Sequence, residues 1–300
     1  TWYNGDTSLM KKVSRISIFI HVLVLFGLTG FLVWPGMSLA SEELSEEALA
    51  ELVKPSVVRI VEHVTGTAKI PAVKVDVRQH LVAVIPNRVT EVPIDEYLSG
   101  SGFIVHPDGY IATNAHVVSL ETIKTALASE SALSAVFENA LLLSEEEMNT
   151  FLSEEGSQGF YRDILHYIIE QSEFDLKHEI AVLKPEAKGA RMENLIADGF
   201  PAQIVAVNEQ FLDDERDVAL LKIEEQALPA VALGNADDLM VGGKVFIFGF
   251  PGTAEINERN PSEATFTRGV VGAIKQTEDG NLKIFQTDAK VSQGSSGGPM

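Results

Sequence analysis

The sequence predicts a mostly β protein, with antiparallel strands arranged as a sandwich or as barrels, and two observations lead to that prediction. The first is a series of short apolar runs in the second half of the chain, namely EIAVLKP, AQIVAVN, DVALLKI, KVFIFGF, TRGVVGAI and LKIFQTDA. Gly, Pro, Asn or Asp bounds each run, and these residues favour turns. Several short strands separated by turn residues are typical of antiparallel sandwiches and barrels.

The second observation is a hairpin signal in the first half of the chain. Residues 101–106 and 110–113 are apolar runs joined by Pro107-Asp108-Gly109, a combination that predicts two paired strands. Upstream, residues 56–61 have the β-branched content of a strand. Residues 65–98 contain three prolines and are predicted to form a long irregular segment between these strands.

Two segments depart from the β pattern. Residues 41–53 are predicted to form a short helix, with Ser41 as its N-cap and Pro55 ending it. Residues 119–177 carry apolar residues at three- and four-residue spacing, which is the pattern of amphipathic helices. This second segment has 12 acidic and 3 basic residues, a net charge of −9. We interpret it as a helical insertion, which is either a structural cap on the first barrel or an acidic lid or oligomer contact that controls access.

An uncharged apolar run, residues 16–34, follows basic residues and precedes acidic ones. At about 1.5 Å per residue, a helix of this length spans roughly 28 Å, close to the hydrocarbon thickness of a bilayer. The order of the flanking charges predicts that the bulk of the chain lies outside the cytoplasm. Residues 38–40 offer a small-x-small cleavage site, so the run is a retained membrane anchor, a removed signal peptide, or a buried helix of a soluble domain. The predicted division is an N-terminal tail with this anchor or signal, residues 1–40, and one domain, residues 41–300.

The composition excludes several classes of site and partner. With 45% hydrophobic and 22% charged residues, the 300-residue chain is typical of a globular protein with a large core. A formal net charge of −20 disfavours nucleic acid as a partner, because its phosphates would be repelled. The chain has no cysteine, which excludes disulfides, thiolate catalysis and cysteine-ligated metals. HExxH and P-loop patterns are also absent from the sequence, so no metal or other cofactor is expected.

Three parts of the sequence are candidates for nucleophilic chemistry, which needs a hydroxyl, a base and a group that orients the base. His116 follows the predicted hairpin in ATNAHVV, Asp217 opens the run DVALLKI, and a serine pair lies in QGSSGGPM. The glycines around the serines indicate a backbone that adopts positive φ or approaches another group closely. Taken singly, each candidate has a common alternative: a surface or core histidine, a turn aspartate, and a flexible Gly/Ser tail.

Taken together, GSGFIVHPDGYIATNAHVV, DVALLKI and DAKVSQGSSGGPM resemble the HtrA/Deg branch of the trypsin-like serine proteases. VKPSVVRI, LGNADDLMVGGKVFIFGFPG and TRGVVGAI extend the resemblance, which covers residues 52–64, 99–118 and 179–300. The motifs follow one another in the order His, Asp, Ser, as in the chymotrypsin-type template. The resemblance implies a chymotrypsin-like double β-barrel, and it does not extend to the N-terminal apolar run or to the helical insertion.

The resemblance also implies a role for each candidate residue. Ser296, directly before the Gly-Gly pair, would be the nucleophile, and Ser295 stands where HtrA proteins usually carry asparagine. His116 would act as base and then as acid, while Asp217 would orient the imidazole. The N–H groups of Gly294 and Ser296 would form the oxyanion hole. Domains of this family continue past the nucleophile with strands that complete the second barrel, so that barrel is expected to be incomplete within residues 1–300.

These assignments predict an exported, ATP-independent serine endopeptidase that cleaves unfolded or damaged proteins of the cell envelope. The protein would be anchored in the membrane through residues 16–34 if that run is retained, and periplasmic or secreted if it is cleaved. Homo-oligomerisation is a further expectation. The alternative, from another functional class, is a membrane-tethered chaperone or binding module in which the same fold has no proteolytic activity.

Overall fold

A closed barrel of six antiparallel strands forms the first half of the described structure, and it confirms the mostly β prediction. The spatial order of the strands is β1-β2-β3-β6-β5-β4. The strands are β1 Val57–Asp76, β2 Leu81–His106, β3 Tyr110–Thr113, β4 Glu173–Val182, β5 Phe200–Val207 and β6 Ala219–Ile223. Branched apolar side chains from alternate strand positions fill the interior, among them Ile60, Ile104, Ile111, Leu221 and Ile223.

The computed structural model describes most of one compact unit, Leu44–Met300. The described residues are 44–76, 79–130, 134–143, 153, 157–183, 192–211, 216–252, 263–277, 280 and 282–300. Their α-helices are α1 Glu46–Val53, α2 Ala115–Val118, α3 Leu120–Glu130, α4 Ser134–Ala140, α5 Ser157–Gln171 and α6 Met192–Asp198. Two short 3₁₀ helices, Lys54–Ser56 and Ala236–Asp238, complete the described helical structure.

The second half of the chain folds into a three-stranded antiparallel sheet within the described residues. Its strands are β7 Lys244–Gly249, β8 Thr265–Gln276 and β9 Lys283–Thr287, in the order β7-β8-β9. Phe248, Phe250 and Ala264 pack in one apolar cluster with Val57, the first residue of β1. This cluster joins the sheet to the barrel, and the double β-barrel with an incomplete second barrel stays a prediction.

Residues 65–76 and 81–98 are strand and not the irregular segment that the sequence predicted. They lie in a long hairpin, here called the β1–β2 arm, whose register runs from Val57 opposite Phe103 to Asp76 opposite Leu81. The prolines suggested a loop, but they lie where each strand has only one neighbour. Among the described strands, β1 pairs only with β2 beyond Lys69, and β2 pairs only with β1 before Phe103. A strand with a free edge tolerates proline, because the missing N–H can face away from the ladder.

Helices α3, α4 and α5 lie in the segment that was predicted to be a helical insertion, and they pack on the β1–β2 arm. Helices α3, α4 and α5 share one buried cluster with the arm. The members with the least exposure include Ile70 and Val73 from the arm and Ile123, Leu127, Phe137, Ile164 and Ile168 from the helices. The predicted end of this segment was wrong, because residues 173–177 already belong to β4 and pair with β1.

The first helix begins later than predicted. Ser45 has extended backbone angles and its hydroxyl accepts a hydrogen bond from the Ala48 N–H, so Ser45 is the N-cap and the helix starts at Glu46. The predicted N-cap, Ser41, and the apolar run 16–34 lie outside the described residues. Within the part of the chain that the structure describes, no helix has the length and apolar character needed to cross a bilayer.

The shared cluster predicts that the insertion contributes directly to the stability of the domain. Truncating fully buried Phe137 to alanine should lower the free energy of unfolding by about 3–5 kcal/mol, because transfer and cavity terms add. Urea unfolding followed by circular dichroism measures this change. Leu120→Ala, at a position 38% exposed on α3, is the control, with an expected loss below about 1 kcal/mol. A loss for Phe137→Ala as small as the loss for Leu120→Ala would mean that the insertion is not part of the core.

Candidate active site

The His116 imidazole and the Asp217 carboxylate form a two-point contact beside the barrel. Asp217 Oδ2 lies 2.5 Å from His116 Nδ1, and Asp217 Oδ1 accepts the His116 backbone N–H at 2.8 Å. Asn114 adds a third link, because its side-chain amide donates to the Asp217 carbonyl at 2.7 Å. The carboxylate therefore fixes both the position of the residue and the orientation of the ring, which leaves Nε2 as the ring nitrogen that is free to react.

Strand register explains how two residues 101 positions apart in sequence meet. β3 and β6 are neighbouring antiparallel strands with Thr113 opposite Ala219. The chain that leaves β3 therefore runs beside the chain that approaches β6. His116 lies on the short helix α2, directly after β3, and Asp217 lies two residues before β6, as the sequence predicted.

The ionisation of Asp217 follows from this contact. Partial burial alone would raise the pKa of its carboxyl, but the hydrogen bonds from the imidazole and the backbone N–H of His116 outweigh burial and hold the pKa below its ordinary value. Asp217 is consequently a carboxylate at neutral pH. A negative charge in contact with Nδ1 stabilises the imidazolium that would form if the ring took up a proton.

Glycines let the loop 292–298, here called the serine loop, lie directly against the rest of the domain. Gly294 and Gly297 have φ of 92° and 85°, a region that favours glycine. A Cβ on Gly297 would lie 2.1 Å from the Ser101 carbonyl oxygen, and one on Gly298 would lie 1.9 Å from the Phe248 carbonyl oxygen. The sequence QGSSGGPM is therefore rich in glycine because the backbone of the serine loop lies close to other backbone groups, and not because the chain has to be flexible.

Four successive carbonyl groups of the serine loop have fixed donors. The Gln293 carbonyl accepts the Gly252 N–H at 2.8 Å, and the Ser295 carbonyl accepts the Gly298 N–H at 3.1 Å. The carbonyl groups of Gly294 and Ser296 both accept from Ser101, the first from its hydroxyl and the second from its backbone N–H. The conformation of residues 293–296 is therefore set by other parts of the backbone and by a single side chain.

The same hydrogen bonds set the direction of the loop N–H groups. In a planar trans peptide the N–H points away from the preceding carbonyl. The bonds to the Gln293 and Ser295 carbonyls therefore turn the N–H groups of Gly294 and Ser296 the other way. Neither of these two N–H groups donates to another described residue. Two such N–H groups beside a serine hydroxyl suit the binding of a developing negative oxygen.

One cleft brings the candidate residues together. His116, Gly294 and Ser296 all line a cleft of about 770 Å³, whereas Ser295 does not. His116 and Ser296 both line this cleft, although no hydrogen bond joins their side chains among the described residues. The arm and α3 also line it, through Tyr97, Leu98, Ser99, Thr122, Ile123 and Ala126.

Glu62 is a buried acid in the cleft wall that the sequence analysis did not identify. It is 1% exposed, and its Oε2 lies 2.8 Å from His178 Nε2 across the β1–β4 pair. Burial raises the pKa of the Glu62 carboxyl, and the contact with His178 offsets only part of this rise. A charged residue inside the β-branched run VVRIVEHV was the one sequence signal that could have revealed it.

The fold and the cleft together define a class of protein. It is a mostly β chain in which a histidine, paired with an aspartate, and a serine on a glycine-rich loop line the same cleft. The chain belongs to the trypsin-like peptidase domain family, because that family's model matches residues 100–300. The resemblance to HtrA/Deg-type trypsin-like serine proteases, which the motifs predicted, is confirmed by curated relatives of the same type.

Two of these relatives share the description "Probable periplasmic serine endoprotease DegP-like". The protein from Halomonas elongata is 28% identical over 203 residues, which are 67% of this chain and 26% of the relative. The protein from Chlamydia pneumoniae is 26% identical over 225 residues, which are 72% of this chain and 29% of the relative. The chain thus spans less than a third of the length of these relatives. Among solved structures, "HtrA-type protease AlgW with decapeptide" matches with 18% identity and a TM-score of 0.42, covering 85% of this chain and 55% of that chain.

The raised pKa of Glu62 predicts a specific dependence of stability on pH. A carboxyl whose pKa is higher in the folded state contributes stability below its ordinary pKa, and that contribution is lost as the pH rises through the folded-state pKa. Glu62→Gln removes the titration, so the variant should gain stability relative to the parent as the pH rises above the ordinary carboxyl pKa of 4.5.

Urea unfolding at several pH values measures this difference. A difference between Glu62→Gln and the parent that does not change with pH would contradict the raised pKa of Glu62.

Proposed function

We propose that this chain carries the catalytic domain of an exported, ATP-independent serine endopeptidase that cleaves unfolded or damaged proteins of the cell envelope. The observation that carries the proposal is one cleft lined by His116, held by Asp217, and by Ser296, on a loop with two N–H groups that no described residue engages. Family membership adds support, because the catalytic arrangement of Ser, His and Asp is that of trypsin-like peptidases.

The first chemical step is attack of the Ser296 hydroxyl on a peptide carbonyl. A serine hydroxyl is a weak nucleophile, so His116 Nε2 removes its proton as the oxygen–carbon bond forms. Asp217 keeps the proton of the neutral ring on Nδ1, which leaves the Nε2 lone pair available, and its charge stabilises the imidazolium. The distance between the His116 imidazole and the Ser296 hydroxyl shortens when substrate fills the cleft, because catalytic hydrogen bonds usually tighten in the substrate complex.

The tetrahedral intermediate carries its negative oxygen at the N–H groups of Gly294 and Ser296. Each such donor contributes about 2.7–4 kcal/mol to transition-state stabilisation in related sites. The His116 imidazolium then donates its proton to the leaving amine as the C–N bond breaks. A water molecule then attacks the resulting ester of Ser296. His116 removes a proton from the water and afterwards donates it to the Ser296 oxygen as the ester bond breaks, so it again acts first as base and then as acid. The cycle needs no metal and no nucleotide.

The proposed location is supported by the descriptions of the relatives and by the N-terminal sequence. The relatives are described as periplasmic endoproteases, and residues 16–34 have the charge order of an export signal or anchor. The protease domain lies outside the cytoplasm in either case. It is tethered to the membrane if the apolar run is retained, and it is periplasmic or secreted if the run is removed. Self-assembly into a homo-oligomer is part of the same proposal.

Replacing Ser296 by alanine tests the assignment of the nucleophile. In the complete protein, Ser296→Ala should abolish cleavage of unfolded casein and labelling by a fluorophosphonate, because both reactions form a bond to the hydroxyl that the change removes. The matched control is Ser295→Ala, the same change one residue earlier, outside the cleft lining, which should keep both activities. Undiminished cleavage by Ser296→Ala would refute the assignment. A parent protein that neither cleaves casein nor takes the label would favour a chaperone or binding module.

Replacing Asp217 by asparagine tests the role of the histidine–aspartate contact. The asparagine amide would donate where the carboxylate accepts and so favour the wrong tautomer of His116, and kcat should fall about 10⁴-fold. Asp95→Asn is the control, because Asp95 makes a similar contact with His63, 2.7 Å long, and neither residue lines the cleft. Steady-state cleavage of a peptide substrate measures both variants. A loss below about tenfold for Asp217→Asn would contradict the proposed role.

A further inference from the structure

Ser101 lies fully buried where the barrel, the end of β7 and the serine loop meet. Its hydroxyl accepts the Phe250 N–H at 2.9 Å and donates to the Gly294 carbonyl at 2.6 Å. A hydroxyl can donate one hydrogen bond and accept another at the same time. The Ser101 oxygen can therefore accept the Phe250 N–H while the Ser101 O–H donates to the Gly294 carbonyl. The Ser101 side chain therefore links strand β7 to the serine loop through one oxygen atom.

The backbone of Ser101 makes two further bonds at the same place. Its N–H donates to the Ser296 carbonyl at 2.8 Å, and its own carbonyl accepts the hydroxyl of buried Thr113 at 2.7 Å. Thr113 ends β3, three residues before His116. One residue of the closed barrel thus contacts the residue that bears the nucleophile and, through Thr113, the strand that leads to the base.

The bond to Gly294 is the one that a substitution can remove. Of the four carbonyl groups that fix residues 293–296, those of Gln293, Ser295 and Ser296 accept from backbone N–H groups, and that of Gly294 accepts from a side chain. Without this donor, the peptide unit between Gly294 and Ser295 keeps only the bond from its Ser295 N–H to the Ser292 carbonyl, 3.0 Å long, which lies within the serine loop itself. The unit would then have no bond to the barrel, and a shift of it would displace the neighbouring peptide units that carry the N–H groups of Gly294 and Ser296.

We propose that Ser101 is a positioning residue, whose hydroxyl holds the serine loop in the conformation that presents both oxyanion-binding N–H groups. This inference rests on the proposed function. Ser101 does not touch the substrate and acts through Gly294. Since it stands on a strand of the closed barrel, it transfers the rigidity of the barrel to a loop that belongs to the other half of the domain.

Ser101→Ala in the complete protein tests the proposal. The kcat for a peptide substrate should fall roughly 10- to 100-fold with KM nearly unchanged, because the loss falls on the transition state. Binding of a peptide boronic acid, whose tetrahedral adduct occupies the oxyanion hole, should weaken by a similar factor. Binding of a cleaved product peptide should not change. Turnover is expressed per site titrated with a fluorophosphonate, so that misfolded molecules are not counted.

Two further variants complete the design. Ser172→Ala removes a hydroxyl that donates to the Ile168 carbonyl at 2.7 Å in the helical insertion, and it should leave kcat unchanged. Ser101→Cys keeps a side chain of similar shape but replaces the hydroxyl that donates to the Gly294 carbonyl by a thiol, a much weaker donor, and it should also lower kcat with KM nearly unchanged. If Ser101→Ala does not fold, Ser101→Cys decides the question.

Turnover per titrated site equal to that of the parent, in Ser101→Ala or in Ser101→Cys, would overturn the proposal, even if the thermal midpoint falls. Equal weakening of boronate and product binding would also overturn it, because the effect would then not be specific to the oxyanion. Failure of the proposed function gives a different result: the parent would show no turnover and no titratable site.

Discussion

The candidate site depends on how closely the serine loop approaches the barrel. The backbone of Gly297 lies where any side chain would collide with the Ser101 carbonyl and the Thr113 hydroxyl. This contact places Ser296, from the second half of the chain, in the same cleft as His116, from the first half. A larger residue at Gly297 would push the loop away from β2 and β3 and would separate the hydroxyl from the imidazole. The glycines are thus a packing requirement between two halves of the domain.

Closure of the barrel fixes the positions of His116 and Asp217 relative to each other. Because β3 and β6 are hydrogen-bonded neighbours, the positions of His116 and Asp217 follow from strand register, and no flexible loop has to bring them together. Asn114 strengthens the same junction from the side of β3. Groups held on strands or at their ends keep their relative positions more accurately than groups on long loops. The pair is therefore preorganised before substrate arrives.

Sequence reasoning identified the parts of the site whose signal is local. His116, Asp217 and Ser296 each lie in a short motif with recognisable neighbours, and most strands could be read from apolar runs between turn residues. The arm was missed, because its prolines were taken as loop signals although they lie where a strand has a free edge. Ser101 and Glu62 were missed for a different reason. Their roles come from partners 193 and 116 residues away, and no local pattern encodes such contacts.

The helical insertion affects the cleft through its packing. Ile123 of α3 lines the cleft and also belongs to the buried cluster that joins the insertion to the arm. α3 follows α2 after one residue, Ser119, whose N–H donates to the Ala115 carbonyl and whose carbonyl accepts the Ile123 N–H. Opening α3 like a lid would therefore break a buried core and disturb the helix that carries His116. The packing favours a fixed wall over a moving lid, so that the insertion limits what enters the cleft by the cleft's width.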